Sequence, residues 1–142
     1  MKITFTTALL AIASLTASAH AYAQSPVRAN IPFQFTVGQK VLPAGQYTIS
    51  NVSDRVIELC NREKQTRMFI SMTATGYVSQ QPRVLVFREY GDQYFLHEVR
   101  GGLGEFSLDV SPSKLEKETQ RQAALAHARQ QNAEIALNAL KK

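Results

Sequence analysis

The chain has 142 residues, sixteen Lys and Arg against eleven Asp and Glu, 44% hydrophobic residues, no tryptophan and one cysteine. That length suits one ordinary domain with one core, and a lone cysteine excludes an internal disulfide framework. The basic residues are scattered instead of gathered on one face, which argues against a nucleic-acid binder.

Met1-Lys2 supplies one positive charge, and Ile3 to Leu15 follows without a charged residue, carrying Phe5, Leu9, Leu10, Ile12 and Leu15. Small residues close the segment in Ala17-Ser18-Ala19-His20-Ala21-Tyr22-Ala23. Charge, apolar stretch and small-residue site in that order describe a cleavable secretory signal. Ala21-Tyr22-Ala23 fits the A-x-A rule and puts the cut between Ala23 and Gln24; Ala17-Ser18-Ala19 is the second choice. The apolar run is short of the roughly 20 residues of a spanning helix, no cysteine stands near it for lipid attachment, and no later segment is apolar enough to span. The expectation is a soluble exported protein, periplasmic or extracellular, with no transmembrane anchor and a mild net positive charge.

Residues 24–110 read as a β domain. Gln24 to about Asn30 is a short polar lead. Ile31 to Val37 alternates, with Phe33, Phe35 and Val37 on one face, and Pro32 marks a strand start or a sheet edge. Pro43-Ala44-Gly45 has the residues of a type II turn. Gln46 to Val52 and Arg55 to Cys60 form a meander around Asn51 to Asp54, and Thr66 to Thr75 is a further run. Two apolar runs, Pro82 to Glu89 and Gln93 to Arg100, flank Tyr90-Gly91-Asp92 as a hairpin. Val84 to Phe87 is apolar on both faces and reads as a central strand. A last strand is expected over Glu105 to Val110, after the Gly101-Gly102-Leu103-Gly104 loop. About seven or eight short strands at this spacing predict a mainly β fold, a small antiparallel sandwich or barrel.

Residues 111–142 read as a long C-terminal α-helix. Ser111-Pro112 is one entry, and Ser113 with Glu116 an alternative capping box. No Gly or internal Pro interrupts Pro112 to Leu140, and Ala, Leu, Gln, Glu, Lys and Arg dominate. About 29 residues would span roughly 43 Å. Leu115, Leu125, Ala126, Ala133, Ala136, Leu137 and Leu140 share a weak stripe that Gln122 and Arg129 interrupt, and Ile135 falls outside it. Part of such a helix projects or meets a partner, so removing Lys114 to Lys142 is expected to leave the β domain folded.

Chemistry is thin. Strand alternation puts Cys60 on the face of Glu58, opposite Ile57 and Leu59. There it is a half-buried thiol, an exposed free thiol, or half of an intermolecular disulfide. His97 and His127 lack a second ligand at metal spacing, and His97 next to Glu98 implies opposite strand faces. Glu89 and Asp92 flank a turn, and the glycine loop lacks the lysine and spacing of a phosphate cradle. No catalytic residue, cofactor or metal is expected. Phe33, Phe35, Tyr47, Phe69, Phe87, Tyr94 and Phe95 are either core or the lining of an apolar pocket. Two functions follow: a non-catalytic envelope protein contacting a partner through its C-terminal helix, or a binder of a small apolar ligand in a β-barrel pocket.

Two stretches carry a resemblance. Ala29-Asn30-Ile31-Pro32-Phe33-Gln34-Phe35-Thr36-Val37-Gly38 is followed by Leu42-Pro43-Ala44-Gly45-Gln46-Tyr47, and Leu85 to Leu96 contains Tyr90-Gly91-Asp92. Together they resemble a group of small exported bacterial proteins of no established activity, with an IPFxFxVG…LPAGxY opening and a LVFxxYGDxYFL hairpin. The resemblance covers Ala29 to Arg100, implies export and a β domain, and supplies no catalytic residues. The Ala/Gln-rich C-terminus departs from the short basic tail of that group.

Overall fold

The computed structural model describes residues 25–140 apart from 78–81, 102 and 105. The expected leader, with the Ala23–Gln24 cut, lies outside the described residues. The fold is a small β sandwich. One sheet holds β1 (Val27–Ile31), β4 (Gly45–Ser53), β5 (Val56–Asn61), β6 (Thr66–Ser71) and β12 (Asn138–Ala139), in the order β12-β1-β4-β5-β6 and antiparallel throughout. The other runs β11 (Gln130–Ala136), β8 (Val84–Tyr90), β9 (Gln93–Arg100), β10 (Phe106–Asp109) and β7 (Thr73–Tyr77). A hairpin of β2 (Phe35–Val37) and β3 (Lys40–Leu42) joins it, with β2 parallel to the start of β9. The one helix among the described residues, α1 (Lys114–Leu125), lies against β8.

The chain passes from one sheet to the other at both sides. β6 runs through Met72 into β7, and β11 runs through Leu137 into β12. Both crossing residues are buried, and both are tied down by their backbone amides. Met72 N donates to the Arg55 carbonyl and Leu137 N to the Arg83 carbonyl, each at 2.8 Å. Inward-facing side chains from both sheets fill the space between: Val27, Ala29, Ile31, Tyr47, Ile49, Ile57 and Leu59 from one, Phe35, Leu85, Phe87, Leu96, Val99 and Leu108 from the other.

Several expectations need correction. Gln24 to Asn30 is not a polar lead, because Val27–Ile31 is β1 and Val27, Ala29 and Ile31 alternate into the core beneath β4. Ile31 to Val37 is two strands separated by residues 32–34, where Pro32 carries no ladder donor. Thr66 to Thr75 is likewise split at Met72 into strands of different sheets.

The C-terminal helix is present but ends early. Its N-cap is Ser113, whose Oγ accepts from the Glu116 amide at 3.1 Å, so the alternative capping box is the entry used. It closes at Ala126, and His127 takes φ +52°, which turns the chain out of helical geometry. Residues 130–136 and 138–139 are then strands, not helix, although their composition favours helix. In strand form Ala133, Ile135 and Leu137 point into the core on a period of two, and β11 supplies a seven-residue antiparallel partner for β8. Tertiary pairing overrides local propensity here. Strands of both sheets therefore come from beyond residue 110, and removal of Lys114 to Lys142 is expected to unfold the sandwich.

Gly45, at the head of β4, has φ +148°, and an added Cβ would stand 2.7 Å from Nδ2 of Asn61. Asn61 cannot swing away freely, being fully buried with its Oδ1 accepting from the Lys64 amide at 3.1 Å. Gly45→Ala is expected to cost about 2 kcal/mol. Gly38→Ala, at φ +63° with open space around the new atom, is expected to cost about 1 kcal/mol from backbone strain alone. Denaturant midpoints measure both, and an unchanged Gly45→Ala midpoint would contradict the crowding described.

Candidate functional site: the charged outer face of the second sheet

Along β8, Leu85 and Phe87 face the core, while Val84, Val86, Arg88 and Tyr90 point away from it. On β9 the alternation slips. Val86 pairs with Glu98 but Phe87 pairs with Leu96, so His97 is an extra residue opposite a single step of β8. This bulge corrects the expectation that His97 and Glu98 face opposite ways. His97 meets Arg88 and Glu98 meets Arg100, and all four lie on the outer face.

Two linked polar groups result. In the first, Arg100 grips Glu98 in a fork, Nε to Oε1 at 3.0 Å and Nη2 to Oε2 at 2.8 Å. Its Nη1 reaches Glu134 of β11 at 3.2 Å, and Ser107 Oγ of β10 also donates to Glu98. Arg100, helped by Ser107, holds the Glu98 carboxyl below its usual range despite burial, and Glu98 in turn pushes Arg100 up. Beside them Thr75 Oγ1 of β7 donates to Asp109 of β10 at 3.0 Å.

In the second, Arg88 Nη2 lies 3.0 Å from His97 Nε2. Arginine only donates, so Nε2 accepts and the neutral ring carries its proton on Nδ1. Burial first, and the Arg88 charge second, lower the His97 pKa, against the opposing pull of Asp109 and Glu98. Arg88 Nη1 is 3.9 Å from Glu116 of α1, and Tyr90 Oη is 3.5 Å from the same carboxylate oxygen. Glu116 is only 4% exposed. Burial raises its pKa, against the opposing effects of Arg88, Tyr90 and the Ser113 backbone.

α1 thus sits on this face through its polar side: its buried residues are Glu116 and Thr119. The leucines expected to form its packing stripe turn outward, Leu115 40% and Leu125 77% exposed. Nothing in the sequence marked Arg88, Arg100, Glu116 or Glu134 as a group. The readable hint was Glu98 and Arg100 two apart inside an apolar strand, where charges require partners.

The expected site residues lie apart. Cys60 is half-buried on the outer face of the first sheet, on Glu58's side and between Thr48 and Arg67 in register. His97 is on the outer face of the opposite sheet, so the sandwich separates thiol from imidazole. His127 is exposed in the turn after α1. Glu89 accepts from the Tyr94 hydroxyl at 3.1 Å across the hairpin. Leu103, in the glycine loop, is buried, and its carbonyl accepts from Asn51 Nδ2 at 2.9 Å, which ties the loop to the first sheet. Among the described residues no group of three His, Cys, Asp or Glu side chains is placed to hold a metal ion, and no helix is long and apolar enough to cross a membrane.

Five of the seven aromatics stack on one another. Tyr94 lies on Phe33 with ring centroids 3.9 Å apart. Phe33 meets Phe87, and Phe87 meets Phe35, edge-on at 5.2 Å each. Phe35 meets Tyr47 at 5.3 Å. Phe95 packs instead against Tyr90 on the outer face, and Phe69 stands 57% exposed on the other sheet.

Comparison with protein families, with curated proteins and with solved structures finds no match to this chain.

Proposed function

We propose that this is an exported, non-catalytic protein that works by contact with another envelope protein, and that α1 presents the contact. The observation that carries this reading is the orientation of α1. It spends its polar residues Glu116 and Thr119 on the sheet and leaves Leu115 and Leu125 to solvent, the reverse of the usual arrangement for a surface helix. The leader-like start and the resemblance to small exported bacterial proteins support the exported part. The charged groups described above are largely paired with one another, as in a structural network.

A photo-crosslinking residue at position 125, introduced in cells, is expected to give one discrete adduct with an envelope protein. Leu115→Asp is expected to abolish it. The protein recovered from the envelope is expected to begin at Gln24. No discrete adduct, or an adduct indifferent to Leu115→Asp, defeats the contact; an uncut chain in the cytoplasm defeats the export.

A further inference from the structure

We infer that α1 is a flap over the Arg88–His97–Tyr90 face, held by the buried Glu116 carboxyl and seated more firmly when that carboxyl takes up a proton. The inference concerns the movement of α1 and does not depend on what α1 touches.

The geometry comes first. Glu116 is the charged side chain α1 buries, and it is nearly inaccessible. A buried carboxylate is stable only if strong partners replace the water it loses. Its partners here are weak. Arg88 Nη1 is at 3.9 Å, at the outer limit of an ion pair, and Tyr90 Oη is at 3.5 Å. Arg88 does not close the gap because its other terminal nitrogen is engaged by His97 Nε2 at 3.0 Å. The charged and titratable groups facing Glu116 are thus Arg88 and Tyr90 of β8, with the Ser113 amide from its own first turn. Behind Arg88 stands His97 of β9, which Glu98 of β9 and Asp109 of β10 also act on. The other buried residue of the helix is Thr119, whose hydroxyl donates within the helix to the Leu115 carbonyl at 2.9 Å, and its leucines face outward.

The direction follows from linkage. Burial raises the Glu116 pKa above its ordinary 4.5, so the seated helix binds a proton more readily than the released one. Seating therefore strengthens as pH falls from neutral toward that value, by up to about tenfold in the opening equilibrium per pH unit. His97 acts oppositely. Its pKa is lowered from 6.5, so its protonation opposes the neutral arrangement in which Nε2 accepts from Arg88. Near neutral pH the flap is at its loosest, and its opening uncovers Arg88 and Tyr90.

Amide hydrogen exchange on the whole protein, corrected for intrinsic rates, reads the opening of α1 from about pH 7.5 to about pH 4.5, with β8 and β9 amides as the internal standard of folding. Wild-type protection of α1 is expected to rise as pH falls. Glu116→Gln, uncharged at every pH, is expected to show high protection with no slope. His97→Gln, which keeps an acceptor for Arg88, is expected to retain the rise. Wild-type protection that is flat or falls on acidification overturns the inference. So does Glu116→Gln with less protection than wild type throughout, since the ion pair with Arg88 would then be the anchor. So does loss of the rise in His97→Gln, which would assign the proton to the imidazole.

Discussion

A chain ending at Arg129 is expected to have no folded β domain. The missing residues carry β11 and β12, and these are not an appendage. β11 pairs along seven residues with β8, the strand that also anchors β9. Ala133 and Ile135 lie against the core, and Leu137 is buried within it. Without them β8 becomes an edge, Leu85 and Phe87 lose cover, and β1 loses β12 at Val27 and Arg28. The loss is on the order of the whole stability of such a domain, about 5–15 kcal/mol. The expected result is a chain with no cooperative thermal transition by circular dichroism. Ile135→Asp puts a charge on the inward side of β11 alone and is expected to lower the transition without abolishing it. A truncated chain that melts cooperatively near the wild-type temperature would show that the sandwich closes without its last strands.

The second large effect lies in the ring stack. Phe87 is fully buried and touches both Phe33 and Phe35 edge-on. Phe87→Ala removes the middle member of the stack, and is expected to cost about 4–5 kcal/mol from lost burial, cavity and ring contacts. For a domain of this size that lowers Tm by roughly 15 °C. Tyr47→Phe keeps the ring against Phe35 and removes the hydroxyl that donates to the Pro43 carbonyl at 2.7 Å. Its expected cost is about 1 kcal/mol. Phe69→Ala, on an exposed ring, is expected to stay within about 0.5 kcal/mol. Calorimetry on the three variants should reproduce that order. A Phe87→Ala melt no lower than that of Phe69→Ala would mean that the stack is not where the stability resides.

How much of this was readable depended on how far each residue's partner lay along the chain. The β8–β9 hairpin was legible because its two apolar runs flank Tyr90-Gly91-Asp92, and Gly91 supplies the positive φ of +62°. Cys60 was placed on Glu58's face because alternation within β5 is unbroken. β1 was missed because Val27-Arg28-Ala29-Asn30-Ile31 offers only three inward positions, one of them alanine, too short a pattern to stand against a polar reading. β11 was missed for a stronger reason. Gln130 to Ala136 has good helix formers, and its strand state is decided by the open side of β8, some forty residues earlier. Ile135 was the residue that did not fit the helical stripe; with Ala133 and Leu137 it fits a period of two. The charged face was least legible. Which of Arg88, Glu98, Arg100, Glu116 and Glu134 meet depends on register and on the bulge at His97, and composition carries neither.

The crossings at Met72 and Leu137 also set an order of events. β12 pairs with β1, the last described strand with the first, so the first sheet is incomplete until β12 has been synthesised. Pairings between such distant segments pay a large loop-closure entropy and fold slowly. During that interval Val27 and Arg28 lack one flank, and β8 lacks β11. A polypeptide of this design is expected to stay open until β11 and β12 have emerged, and to close only when those strands pair.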